Sequence, residues 1–303
     1  MAPKDHHVSR RELLRTAAVG AAALMLPAKL VACKRGDPDL ERLINWVETL
    51  RVEELGKPDV PLGRAAVRVG ELAAGSPYVP YTLEEYLRNG GSPLLEPLTV
   101  SLAHFDCVTL VESCLAVARL ARSEEAPTWK RFGQEIERMR YRSGRRTGYT
   151  SRLHYFSEWI TDGQKRGLVK DRGTELGGTT DNRPLRFMTE HREEYPALVN
   201  ARVFDDIGYI ERRISQTPRH VVAVERIPQV AAHIETGDVL GFATRIAGLD
   251  VTHTAFAYRG EEGILRVLHA PLSGGVVEIT RATLPEYVAA IRRSTGVLVA
   301  RPI

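Results

Sequence analysis

One cysteine and two distant histidines are the residues of this chain best suited by type and spacing to covalent chemistry. Cys107 stands in His104-Phe105-Asp106-Cys107-Val108-Thr109-Leu110-Val111-Glu112, at the head of an apolar run with helical period. A thiol at a helix N-terminus meets the positive end of the helix dipole, which favours the nucleophilic thiolate. To cleave an amide, that sulfur needs an imidazole to take its proton and return it to the leaving nitrogen. The imidazole in turn needs an acceptor that fixes its ring and tautomer. Cys107, His253 and His269 can fill these three roles. The developing oxyanion would be met by the backbone N–H of Cys107 and a second donor, for which Tyr78, beside the turn at Gly75, is the candidate.

Such a constellation works only if elements far apart in sequence bring it together. Asp106 to Ser123 forms the helix that carries the thiol, with Val108, Val111, Cys114, Leu115 and Ala118 as its apolar stripe and Asp106 as its cap. Further helices are expected over Asp37–Glu54, Arg64–Ala74, Ser151–Lys165 and Ala201–Ser215, and residues 166–195 form a long Gly-, Thr- and Asp-rich loop. From Gly237 the period changes to two. Strands are expected over 238–245, 251–258, 264–270, 276–280 and 297–301, with a helix over 284–293. Helices first and strands later indicate an α+β fold in which the thiol helix packs on a C-terminal, mostly antiparallel sheet. Arg259-Gly260-Glu261-Glu262-Gly263 reads as the turn of a hairpin. If Tyr258 pairs with Ile264, His253 and His269 each lie five residues from that closing pair and fall opposite one another, on one face of adjacent strands.

The chain has three cysteines, at 33, 107 and 114. Cys107 and Cys114 are seven residues apart on one helix, about 10 Å at 1.5 Å rise per residue, too far for a disulfide. Cys114 is expected in the core. Residues 8–33 hold Ser9-Arg10-Arg11-Glu12-Leu13-Leu14, an apolar stretch from Thr16 to Ala28, and Leu30-Val31-Ala32-Cys33. The stretch is too short to span a membrane and reads as a signal peptide. The first motif resembles a twin-arginine export signal and the last a lipobox. The expected layout is therefore a signal peptide over 1–32, a tether over 33–40 and one catalytic domain over 41–303, with a helix and loop insertion at about 123–236. The protein is expected to be exported to the periplasm and held to the membrane by a lipid on Cys33. The net charge is +4, of which residues 1–32 contribute +3, so nothing in the composition argues for nucleic acid. His104 and Cys107 lack the second Cys/His pair of a structural zinc site, and neither metal nor cofactor is implied.

Several stretches taken together resemble NlpC-type, papain-like cell-wall cysteine hydrolases, and within them the N-acetylmuramoyl-L-alanine amidase-like family. They are Gly75-Ser76-Pro77-Tyr78, Phe105 to Glu112, Tyr149 to Trp159, Phe187-Met188 with His191 and Tyr195, Gly237-Asp238-Val239, Gly248 to His253, and Leu268-His269-Ala270. The resemblance runs from about residue 40 to the C-terminus. It implies a papain-like core and cleavage of the amide between muramic acid, in small anhydro-type peptidoglycan fragments, and L-alanine. Under it Arg152 and His154 would contact the substrate's carboxylates or lactyl group, or else hold helix to sheet. Glu112 is expected to partner a buried donor, and Asp250 to shape a turn. Two other activities fit the same residues: an endopeptidase cutting within the stem peptide, and a non-enzymatic wall-binding lipoprotein.

Overall fold

An antiparallel sheet carries the C-terminal half of the site. A computed structural model describes residues 37–272 and 275–303. The leader, Cys33 and the first half of the tether lie outside the described residues. The strands are β1 (Val169–Asp171), β2 (Thr179–Asp181), β3 (Arg219–Ala223), β4 (Val239–Thr244), β5 (Val251–Arg259), β6 (Leu265–His269), β7 (Glu278–Ile279) and β8 (Ser294–Pro302). They lie in the order β2-β3-β8-β4-β5-β6-β7, with β1 also beside β8. Together with the helices this is the α+β class that the change of period at Gly237 indicates.

Strand β4 is buried at every position, as its unbroken Val-Leu-Gly-Phe-Ala-Thr run requires of a strand covered on both faces. The alternation survives in what each side chain meets. Val239, Phe256, Leu268 and Leu298 belong to the core shared with the helices. Leu240, Ala255, Val267 and Val299 belong to a second core on the other face.

Seven helices of seven residues or more are described: α1 (Pro38–Val52), α2 (Leu62–Leu72), α3 (Cys107–Ala121), α4 (Trp129–Arg140), α5 (Phe156–Lys165), α6 (Ala201–Ile214) and α7 (Leu284–Ala290). Helix α3 is buried from Thr109 to Ala118 without a break, which explains why its apolar run has so little polar relief. Cys114 is 1% exposed, in the core as its sequence setting suggests. The start of α2 lies against the turn before β4. A Cβ at Gly237 (φ +90°) would stand 2.1 Å from the Gly63 carbonyl carbon, so this contact tolerates no side chain.

Three expectations need correction. Helix α5 begins at Phe156, not Ser151, because Tyr149–Ser151 form a 3-10 turn and the Asp250 carboxylate accepts the Ser157 N–H at 2.8 Å. The expected loop over 166–195 contains β1, β2 and a short helix, Phe187–Glu190. Residues 123–236 are more than a helix and loop insertion: they supply three strands to the sheet, and α4, whose Arg140 reaches into the core.

The hairpin joining β5 to β6 closes with Arg259 opposite Leu265, one residue further along than expected. Arg259 stays in the strand because its N–H donates to Thr236 Oγ1 and its guanidinium caps the Gly263 carbonyl. Sliding a turn by one residue moves the register by two and leaves every side chain on its face. His269 therefore lies across from Ala255 by continuation of the ladder, and His253 is its diagonal neighbour instead of its opposite number.

Candidate active site

Cys107 is the first residue of α3. Asp106 Oδ1 accepts the Thr109 N–H at 2.7 Å, and Thr109 Oγ1 accepts the Asp106 N–H at 2.8 Å, a reciprocal capping box. This box leaves the Cys107 N–H among the unshared donors of the first turn. Tyr78 is held close by. Its segment bridges Phe105 in parallel, with the Phe105 N–H donating to the Pro77 carbonyl and the Val79 N–H to the Phe105 carbonyl. Burial, followed by the nearby charges of Cys107 and Asp106, pushes the Tyr78 phenol up to about 12, so it remains a proton donor.

The two histidines meet directly: His253 Nε2 and His269 Nδ1 are 2.8 Å apart. A bulge contributes to this. In the β4–β5 ladder Gly241 pairs with Thr254 and Ala243 with Val251, so Thr252 and His253 together oppose Phe242. The His253 ring stacks on Phe242, with centroids 5.6 Å apart and planes 11° off parallel. Bulges of this kind re-aim a side chain locally. Tyr287 Oη stands 3.3 Å from His269 Nδ1.

At rest the set is uncharged. Burial pushes His253 down to about 3, with His269 as a second cause, and burial alone takes His269 to about 4. Burial also pushes the Cys107 thiol up to about 11, and the Asp106 carboxylate adds to this against opposing contacts from Thr254. The thiolate favoured by the helix dipole is thus not the resting form, because desolvation and the capping carboxylate outweigh the dipole. Among the described residues no hydrogen bond joins Cys107 to His253. Both line one cavity, and catalytic hydrogen bonds often tighten only when substrate is bound.

Two cavities flank the thiol. One, of about 160 Å³, is largely apolar, with Cys107 and His253 among Val111, Phe156, Trp159 and Val251. The other, of about 350 Å³, has Tyr78, Tyr81, Asp106 and Leu272 around Cys107 and the Arg140 and Arg152 side chains in its wall. Arg152 is already engaged, at 3.1 Å from Glu84 and 3.3 Å from Glu96. His154 lines both cavities, and its Nε2 lies 2.9 Å from the Tyr149 carbonyl. A carbonyl only accepts, so Nε2 carries the proton and Nδ1 is bare. Burial and the charge of Arg152 hold His154 neutral, which makes it an acceptor for N–H groups and not a clamp for carboxylates. Glu112 accepts from Arg140 at 2.7 Å, the structural partnership expected of it. Asp250 caps α5 through Ser157, apart from the His253–His269 contact. Among the described residues no group of three or more His, Cys, Asp or Glu is arranged to hold a metal ion.

The profile of the N-acetylmuramoyl-L-alanine amidase-like family (AmiA-like) matches residues 68–296. The chain belongs to this family. The matched span contains all six candidate side chains, Tyr78, Cys107, Arg152, His154, His253 and His269, and both cavities' walls. A crystal structure of an N-acetylmuramoyl-L-alanine amidase from Bacteroides uniformis is 28% identical and superposes with a TM-score of 0.71, over 80% of this chain and 98% of that one. A protein from Bacteroides fragilis, described as a candidate xylanase, is 29% identical with a TM-score of 0.70, over 77% and 99%. A Legionella pneumophila protein at 16% identity and a TM-score of 0.61 shares the fold. No curated protein matches the sequence.

Sequence reasoning about this amidase-like chain missed Phe242, Thr254 and Tyr287. Each acts through the fold. Phe242 and Thr254 lie on neighbouring strands beside His253, and Tyr287 reaches His269 from α7. The one signal available was their place in segments of strand period or in the helix between the last two strands.

Proposed function

We propose that this peptidoglycan amidase-like protein is a cysteine amidase that cleaves the bond between the muramic lactyl group and L-alanine in small, anhydro-type fragments. The observation that carries the reading is the 2.8 Å contact of His253 Nε2 with His269 Nδ1 in the wall of the cavity that holds Cys107. With Nε2 occupied, Nδ1 is the nitrogen of His253 left to serve the thiol. The Cys107 Sγ–H proton passes to that nitrogen as sulfur attacks the lactyl carbonyl carbon. The tetrahedral oxyanion takes hydrogen bonds from the Cys107 N–H and the Tyr78 hydroxyl. His253 then returns the proton to the departing alanine nitrogen, and the C–N bond breaks to leave a thioester on Cys107. Water, deprotonated by the same imidazole, releases the sugar acid and restores the thiol.

A neutral thiol and a neutral imidazole suit this order of events, because charge appears only as the bond forms. His154, with its Nδ1 bare, would accept an amide N–H of the substrate. The leader carries the expectation of export and of a lipid on Cys33, which would place the enzyme where wall fragments are released. Digestion of a defined panel of muropeptides with mass readout tests the reaction. Free sugar acid plus an intact stem peptide is expected, and iodoacetamide should abolish their release. Shortened stem peptides with the sugar still attached would point instead to an endopeptidase.

A further inference from the structure

Among the described residues, His269 has a nitrogen with no hydrogen-bond partner. Its Nδ1 meets His253 and Tyr287, while its Nε2, in a ring 1% exposed, makes no hydrogen bond. A buried polar atom of this kind calls for an explanation. The ladder between β6 and β7 places Glu278 directly opposite His269, and the Glu278 carboxylate lies 3.8 Å from that Nε2. We propose that Glu278 is a positioning residue that selects the tautomer of the His269–His253 pair. This rests on the amidase reading above for its consequence, and on geometry alone for its mechanism.

The argument runs through lone pairs. A neutral imidazole carries its proton on one nitrogen only. A carboxylate beside Nε2 favours the tautomer with the proton there, which leaves Nδ1 bare. A bare Nδ1 must then accept from His253, so His253 carries its proton on Nε2 and offers an unprotonated Nδ1 to the thiol. The opposite tautomer of His269 would donate from Nδ1, force a lone pair onto His253 Nε2 and put a proton on the nitrogen that must act as base. Tyr287 cannot decide between the two, since a hydroxyl donates or accepts equally well. Burial holds the Tyr287 phenol protonated, and the charges of Glu278 and Cys107 add to this. Its ring stands edge-on to His269 at 5.1 Å and 89°, which limits ring rotation. The groups facing the His269 ring are therefore His253 from β5, Glu278 from β7 and Tyr287 from α7, and of these only Glu278 has a fixed preference. Its side chain is 47% exposed, so it can approach or leave Nε2 without disturbing the core.

The test is ¹⁵N NMR of the histidine rings in the whole protein, wild type and Glu278→Gln, read beside kcat, KM and the rate of Cys107 alkylation. In the wild type, His269 should show a protonated Nε2 and a bare Nδ1, with the same pattern on His253. A glutamine amide can present either its oxygen or its nitrogen, so Glu278→Gln should mix the two tautomers. It should also lower kcat about 10-fold with KM little changed, and move the acid limb of the pH profile to lower pH. Glu278→Asp should recover part of the loss. The proposal is overturned if wild-type His269 is protonated on Nδ1, or if Glu278→Gln leaves the ring signals and kcat as they were. The ring signals do not depend on substrate, so loss of the amidase reading (turnover surviving alkylation of Cys107) would register separately.

Discussion

Two polar clusters border the thiol, and they are built on opposite principles. Beneath the larger of the two cavities lies a charged platform. Arg140 and Glu112 meet at 2.7 Å with both side chains at most 3% exposed, and Arg152 is shared by Glu84 and Glu96. Tyr149 and Tyr141 donate to the same two glutamates, at 3.0 and 2.9 Å. Beside the apolar cavity, His269 is as buried as the Arg140–Glu112 pair and Cys107 and His253 are half-buried, and burial favours the uncharged form of all three. These pairs hold α3, α4 and the 149–155 segment together, although burial pushes the Glu112 and Glu96 carboxyls up against the pull of their arginines. Groups left neutral by burial retain the freedom to exchange a proton when a substrate supplies the reason. Burial works against charge in both clusters, and only the platform sets matched arginine partners against it.

The sharpest way to separate the clusters is to truncate one side chain in each. Cys107→Ala should lower turnover by at least about 10⁴-fold while leaving stability within about 1 kcal/mol. Parallel turnover assays and urea unfolding check this, and a large stability loss would place the thiol in the supporting structure. Arg140→Ala should do the reverse. It strands the Glu112 carboxylate in the core and should cost about 3–5 kcal/mol, measured by the same unfolding curves. Replacing both partners together, as Arg140→Met with Glu112→Leu, should restore most of that loss, because no lone buried charge remains.

Tyr78→Phe is the intermediate case. It keeps the ring and removes the donor, so kcat should fall about 10²-fold with little change in KM. An equal change in KM instead would make Tyr78 a binding residue.

The smallest effects are those of pH. His253 and His269 titrate far below the ordinary histidine value of 6.5 in the folded chain, at about 3 and about 4. A base that stays unprotonated to such low pH predicts that kcat/KM holds steady from about pH 7 down to about pH 5, below which it falls; a limb at the ordinary histidine value would mean a wetter, looser site. Stability follows the same linkage. The unfolded chain binds protons on these rings first, so their contribution is fully present above pH 6.5 and is lost as pH falls toward 4 and 3. Melting temperature should decline over that window, and His269→Gln should flatten the decline.

Much of this was legible in the residues themselves. The helix that carries Cys107, its Asp106 cap and the burial of Cys114 follow from an apolar period and a short acidic side chain in the right place. The change of period at Gly237 marks the sheet. Helix α4 and strands β1 to β3 were not legible. The α4 stripe of Phe132, Ile136 and Met139 is thin among charged neighbours, and the strands are five residues or fewer. The hairpin shows the boundary well. Strand parity alone put His253 and His269 on one face, and a slide of one residue at Gly260 could not change that.

By itself, then, the sequence determined which residue types could do the chemistry, because helix caps and strand parity are set by near neighbours. Tertiary structure alone decided their charge state and their partners. The neutrality of Cys107 and His253, the bulge opposite Phe242, the pairing of Arg152 with two glutamates and the place of Glu278 behind His269 all depend on which distant segments exclude water from one another. Desolvation and cross-strand register are properties of the assembled chain, and no local stretch of residues carries them.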